Sequence, residues 1–139
     1  MPEVIFNGPA GRLEGRYQPS KDKGAPIAMV LHPHPQFGGT MNNKVVYNLH
    51  YAFYKLGFTV LRFNFRGVGK SQGYFDNGPG ELADAASALD WLQLQNPDSS
   101  SCWIRAEARS VARKTGAAAT CPRRIRPLSC VPARIRFWT

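Results

Sequence analysis

The chain has 139 residues, 43% of them hydrophobic and 19% charged, a length and mix that suit one domain with its own core and argue against a disordered or fibrous chain. Its formal net charge is +9, but the excess is not spread evenly. Residues 1–102 carry nine Lys/Arg against eight Asp/Glu, and residues 103–139 carry nine against one, Glu107, which argues against a basic nucleic-acid-binding domain and separates an ordinary globular segment from a basic tail.

The chain opens MPEVIFNGPAG, without the basic start and apolar run of a secretory leader. No stretch reaches the ~18 apolar residues of a membrane span. Three cysteines, Cys102, Cys121 and Cys130, are too few for a disulfide framework and form no C-x-x-C pair. A cytoplasmic, reducing setting without membrane association is expected.

Val4–Asn7 and Arg12–Gln18 are β-like runs around the turn Gly8-Pro9-Ala10-Gly11, which predicts a hairpin. Ser20–Gly24 is a polar loop. Pro26–Leu31 is continuously apolar, as in a strand buried on both faces. The loop His32–Met41 follows, with the sequence HPHPQFGGTM. Asn42 or Asn43 can cap the next helix, on which Val46, Leu49, Phe53 and Leu56 recur at helical spacing. Gly57 stops it. Phe58–Phe65 is the next strand and Arg66–Gly80, with five glycines, a loop. Glu81–Leu94 reads as a second helix with Leu82, Ala86, Leu89 and Leu92 on one face. Asn96-Pro97-Asp98 ends it, and Ser101–Ile104 begins another apolar run. Strands alternating with helices predict an α/β fold with a parallel sheet.

Ligand sites in parallel sheets lie at the C-terminal strand ends, where His32–Gly39 falls. Gly38 and Gly39 allow close backbone approach. The N–H of Gln36 or Phe37 can stabilise an oxyanion, whereas Pro33 and Pro35 have no N–H to give. The same loop can equally be a tight turn shaped only for packing. His32 and His34 form an H-x-H pair, but only His50 remains to join a metal set. The favoured role for both is holding the loop, with no metal and no cofactor.

The second glycine loop contains Gly69-Lys70-Ser71. A phosphate-binding loop requires a glycine at position 64, which is Asn64, and a helix straight after Ser71. Gly69-Lys70-Ser71-Gln72-Gly73 is formally G-x-S-x-G, but no helix starts after it and no histidine follows His50. Ser71 therefore reads as a structural loop residue and not as a nucleophile.

The stretches GPAGRLEGRYQP, IAMVLHPHPQFGGTMNNKVV, GFTVLRFNFRGVGKSQGYFDNG and ELADAASALDWL together resemble the N-terminal half of a bacterial α/β-hydrolase, in the branch with an H-P-H-P-x-x-G-G loop. The resemblance covers residues 1–104 and implies half of a hydrolase sheet, a hairpin then β-α-β-α-β. It makes His32–Gly39 the oxyanion-hole loop and Arg66–Gly73 a structural loop. It also implies a serine hydrolase acting on a small ester-like substrate. The catalytic serine belongs a few residues past Ile104 in a G-x-S-x-G elbow, with the acid and histidine further on. Here the sequence reads IRAEARS, and Ser110 lacks the flanking glycines. Catalytic serine, acid and histidine are not identifiable, so a chain truncated before its elbow and inactive as it stands is expected.

Residues 105–139 are rich in Arg, Ala and Pro. Arg105, Arg109 and Arg113 share one helical face, where like charges repel. An Ala-rich helix over Ala106–Lys114 would be marginal, and a disordered tail is expected. Arg, Ala, Pro and Gly have GC-rich codons, as a GC-rich gene read out of frame would give. The alternative function is non-catalytic binding of polyanions by this tail. With Trp103, Phe137 and Trp138 as the only stacking groups, no specific nucleic-acid partner is expected.

Overall fold

A computed structural model describes residues 2–99 and 101–106 of the chain. Strands β1 (Glu3–Gly8), β2 (Gly11–Gln18), β3 (Ile27–Leu31), β4 (Thr59–Phe63) and β5 (Cys102–Ala106) form one sheet in the order β1-β2-β4-β3-β5. A single turn of 3-10 helix spans Pro35–Phe37, and the α-helices are α1 (Lys44–Lys55) and α2 (Pro79–Gln95). β3 is parallel to both β4 and β5, while β1–β2 and β2–β4 are antiparallel. The α/β fold with a parallel core sheet is thus present, and the hairpin extends it antiparallel on one side.

β3 and β4 are buried at every residue, which explains the unbroken apolar sequence of β3, while β4 also buries Thr59 and Arg62. Alternate residues serve opposite faces. Ile27, Met29, Leu31, Leu61 and Phe63 pack with Ala85, Ala88, Leu89 and Leu92 of α2. Ala28, Val30 and Val60 pack with Val46 of α1, joined by Leu49, Phe53, Phe58 and Trp103. The two helices therefore cover opposite faces of the sheet.

Asn43 caps α1, its side chain accepting from the Val45 N–H at 3.1 Å. Gly57 takes the left-handed conformation, φ 90°, and its N–H bonds the Tyr54 carbonyl, a glycine stop that needs no Cβ penalty. Leu56 does not join the core stripe. It is the C-cap, 74% exposed, and Phe58 takes the space instead, its ring 5.2 Å from that of Phe53.

α2 begins two residues before the expected Glu81, with Pro79 in its first turn. Pro is tolerated there because its missing N–H would have had no helical partner. Glu81 is fully buried and accepts from the N–H groups of Asp76 and Gly78, both at 2.8 Å, closing the open start of the helix. The buried face runs through Glu81, Asp84, Ala85, Ala88, Leu89 and Leu92. Leu82 and Ala86, expected on it, are only half-buried. Two buried acids rotate the face away from the purely apolar stripe.

β5 runs to Ala106, so the helix weighed for Ala106–Lys114 does not begin there, and its remainder lies outside the described residues. Ser110, Cys121, Cys130, Phe137, Trp138 and the rest of the basic tail lie outside them as well. No helix among the described residues is long and apolar enough to cross a membrane.

Candidate active site

Two loops leave the C-terminal ends of neighbouring parallel strands, His32–Met41 after β3 and residues 64–78 after β4. The first is built on His32, which is 1% exposed. Its Nδ1 lies 2.7 Å from the Pro33 carbonyl oxygen and its Nε2 is 3.1 Å from the Phe65 N–H. A carbonyl can only accept and an N–H can only donate, so the ring is neutral with its proton on Nδ1. Burial agrees, lowering its pKa to about 4. Both nitrogens are engaged, which leaves no lone pair on His32 for a metal. The ring stitches the end of β3 to the residue beyond β4 and stacks edge-on against Phe65.

His34 sits at the start of the 3-10 turn. Its Nδ1 accepts from the Gln36 N–H at 3.2 Å, and its carbonyl accepts from the Phe37 and Gly39 N–H groups at 3.1 Å each. Its ring lies between those of Phe37 and Phe75, at 4.8 and 5.0 Å. The two N–H groups singled out from sequence are thus held differently. That of Phe37 bonds a backbone carbonyl, while that of Gln36 bonds the His34 side chain. Gly38 closes the turn with φ 78°. Gly39 is buried, and a Cβ there would overlap the Pro33 carbonyl oxygen. Gly39→Ala is expected to lose about 2 kcal/mol of stability, the order of overpacking a closely packed site, and to raise hydrogen exchange at Gln36–Thr40. Urea unfolding and exchange mass spectrometry check both.

The second loop is pinned to β2 by a buried polar cluster. The Ser71 hydroxyl donates to the Asn64 carbonyl at 2.7 Å and accepts from the Glu14 N–H at 3.0 Å. Glu14 Oε2 accepts from the Lys70 N–H at 2.6 Å and from the Asn64 side-chain amide at 3.2 Å. Asn64 Oδ1 in turn accepts from the Met41 N–H at 2.8 Å. Asn64 therefore ties the end of the first loop to the second. Ser71, 7% exposed, gives its proton to a backbone carbonyl and not to a base. No helix follows Ser71 before Pro79. Ser71→Ala strands a buried N–H and a buried C=O, for an expected loss of about 2 kcal/mol in urea unfolding.

Arg66 anchors the far side. Its guanidinium grips Asp84 at 2.9 and 3.0 Å and donates to the Gly80 carbonyl at 2.8 Å, while its backbone N–H also reaches Asp84, at 3.0 Å. The Asp84 carboxylate holds the Arg66 pKa above its usual value.

The arrangement can present backbone N–H groups to a developing negative charge. It does not pair a nucleophile with a base among the described residues. Besides Ser71, the Cys102 thiol is buried, with its pKa pushed up to about 11, so it stays protonated. His50, on α1, is fully buried. Sequence reading missed Glu14, Asn64, Arg66 and Asp84. Asn64 directly follows β4 and is buried, and its partners Met41 and Glu14 are too far away in sequence to give a local signal.

Residues 15–101, more than half of the chain, match the X-Pro dipeptidyl-peptidase (S15) family. An uncharacterized protein of Rickettsia prowazekii is 61% identical over 101 residues, covering 73% of this chain and 42% of that protein. The crystal structure of a protein of unknown function from Agrobacterium tumefaciens superposes with a TM-score of 0.74 at 74% identity, over 76% of this chain and 48% of that one. An alpha-beta serine hydrolase homologue from Coxiella burnetii gives 0.70 at 42% identity, over 76% and 50%. The chain thus spans about half the length of the relatives it matches. With the sheet order, the paired loops and this span of similarity in place, the chain belongs to the X-Pro dipeptidyl-peptidase (S15) family and forms the N-terminal portion of an α/β-hydrolase.

Proposed function

We propose that this chain carries the oxyanion-binding half of a serine hydrolase that cleaves acyl or ester-like bonds, and that it stops short of the nucleophile. The observation that supports this most is the first loop. It stands at the C-terminal end of a buried parallel strand and is held rigid by His32, Asn64 and Gly39. It offers a Gln36 N–H restrained only by the His34 ring. The Gln36 N–H is held by a side chain, whereas the Phe37 N–H is part of the backbone bonding of the turn. Gln36 is therefore the preferred oxyanion donor, with Phe37 second. A fixed donor aimed at developing charge is worth several kcal/mol in a transition state.

The missing partners are a serine in an elbow after β5, an acid and a histidine. No histidine follows His50, so no base is identifiable on the C-terminal side. The abrupt rise in Arg and Ala after Trp103 supports a tail read out of frame. On this reading the chain alone is inactive, and its substrate class, a small ester-like molecule, belongs to the intact fold. Setting and compartment are cytoplasmic on the same reading.

Sequencing the gene across codons 100–110 and repairing the frame by one base tests this. The repaired product is expected to contain G-x-S-x-G after β5 and to hydrolyse a p-nitrophenyl acyl ester. If no single-base change restores that motif, the proposal fails. Polyanion binding by the tail is the second reading, favoured by nine basic residues against one acid in residues 103–139. Sequence-selective binding that survives added salt would favour it.

A further inference from the structure

We infer that the rings of Phe37 and Phe75 form a slot for the flat aromatic acyl group of an ester, and that the imidazole of His34 stands in that slot as a placeholder. The inference rests on the hydrolase reading above and names its substrate class. Phe37 lies on the loop after β3 and Phe75 on the loop after β4, so the slot bridges the two loops of the site. The His34 ring is 4.8 Å from the Phe37 ring and 5.0 Å from the Phe75 ring, both inside the ~4.5–7 Å of favourable ring pairs. Its Nδ1 accepts from the Gln36 N–H at 3.2 Å. One side chain therefore supplies both things a bound ester would bring. These are a planar π-system against two phenyl rings and a lone pair on the preferred oxyanion donor.

The match extends to geometry. The Nδ1 lone pair lies in the plane of the imidazole ring. In an aromatic ester the carbonyl is conjugated with the ring, so its oxygen lone pairs lie in the ring plane too. A carbonyl oxygen that takes the place of Nδ1 on the Gln36 N–H thus brings its aryl ring edge-first into the space of the imidazole. A saturated acyl group has no such plane to offer. The slot is open to a ligand, since Phe37 is 67% exposed and His34 and Phe75 are partly exposed. Exchange of imidazole for ester replaces one hydrogen bond by another and ring contacts by ring contacts. The imidazole therefore competes with the ligand and lowers its apparent affinity.

The test titrates methyl benzoate into the purified 139-residue chain and follows the backbone amides and ligand contacts by NMR. The Gln36 amide is expected to shift, with nuclear Overhauser contacts from the ligand ring to Phe37 and Phe75. Methyl cyclohexanecarboxylate, similar in size but not planar, is expected to bind about tenfold more weakly. His34→Ala empties the slot and leaves the His34 carbonyl to accept from the Phe37 and Gly39 N–H groups. It is expected to bind methyl benzoate about tenfold more tightly than the parent. Equal affinity for the two esters overturns the inference, and so does a folded His34→Ala chain that binds no more tightly. If that variant does not fold, the parent decides: ligand contacts to both rings support the slot and their absence overturns it. Binding as expected, by a chain whose frame-repaired form leaves phenyl benzoate intact, keeps the slot and removes the hydrolase reading. Hydrolysis by the repaired form without the binding preference does the reverse.

Discussion

Acidification from pH 7.5 to pH 4.5 is expected to remove several kcal/mol of folding stability, most of it through His32 and His50. Each has a folded pKa lowered from 6.5 to about 4. The unfolded chain therefore takes up protons at pH 6.5 that the folded chain refuses until about pH 4. Stability is full above pH 6.5 and falls with pH through that window. A shift of this size is worth roughly 3 kcal/mol per histidine at its limit, a large share of the total for a small domain.

The causes differ. His32 is held neutral by burial, and its Nε2 lone pair is committed to the Phe65 N–H, so protonation breaks the stitch between the two loops. His50 is fully buried with neither ring nitrogen hydrogen-bonded. Burial disfavours its charge, and the nearby Arg62 guanidinium repels it. Arg62 itself lies over the Tyr47 ring of α1 at 5.0 Å. Removing an unpartnered buried polar group of similar size costs little. His50→Leu is therefore expected to be near neutral at pH 7.5 and more stable than the parent at pH 5, with about half the acid slope. Urea midpoints at the two pH values measure this. An unchanged slope in His50→Leu would assign the acid sensitivity elsewhere.

Asp84→Ala is the single substitution expected to cost most at neutral pH, about 3 kcal/mol or more, as when one partner of a buried ion pair is removed. Asp84 is fully buried and the Arg66 side chain 12% exposed. Three hydrogen bonds end on this one carboxylate. Without it Arg66 keeps only the Gly80 carbonyl, and the loop after β4 loses its grip on α2. Asp84→Asn keeps an acceptor for part of the fork and is expected to fall between the two. A loss below about 1 kcal/mol for Asp84→Ala in urea unfolding would mean that the pair is not structural.

These two results mark what the sequence could and could not reveal. The hairpin was readable because Gly8-Pro9-Ala10-Gly11 is a local turn signal. β3 was readable because a strand buried on both faces is continuously apolar, and β4 because Val60, Leu61 and Phe63 keep a β-like run around Arg62. Asn43 and Gly57 framed α1 because caps are set by neighbouring residues. The buried face of α2 was not readable, since hydrophobic periodicity ignores an acid such as Glu81 or Asp84 whose partner is distant in sequence. The placement of β4 between β2 and β3 was equally hidden, because strand order depends on packing across the sheet. At the site, the His32–Gly39 loop stood out through its Pro and Gly residues. The Glu14–Asn64–Ser71 cluster joins residues up to 57 positions apart and has no local signature.

On the proposed function, this chain holds the oxyanion side of a serine hydrolase without a working nucleophile. Treating the purified 139-residue chain with a fluorophosphonate and measuring its intact mass tests it most directly. The expected result is no adduct, with Ser71→Ala indistinguishable from the parent. A stoichiometric adduct would contradict the claim, and mapping it to Ser71, Ser110 or another residue would name the active serine.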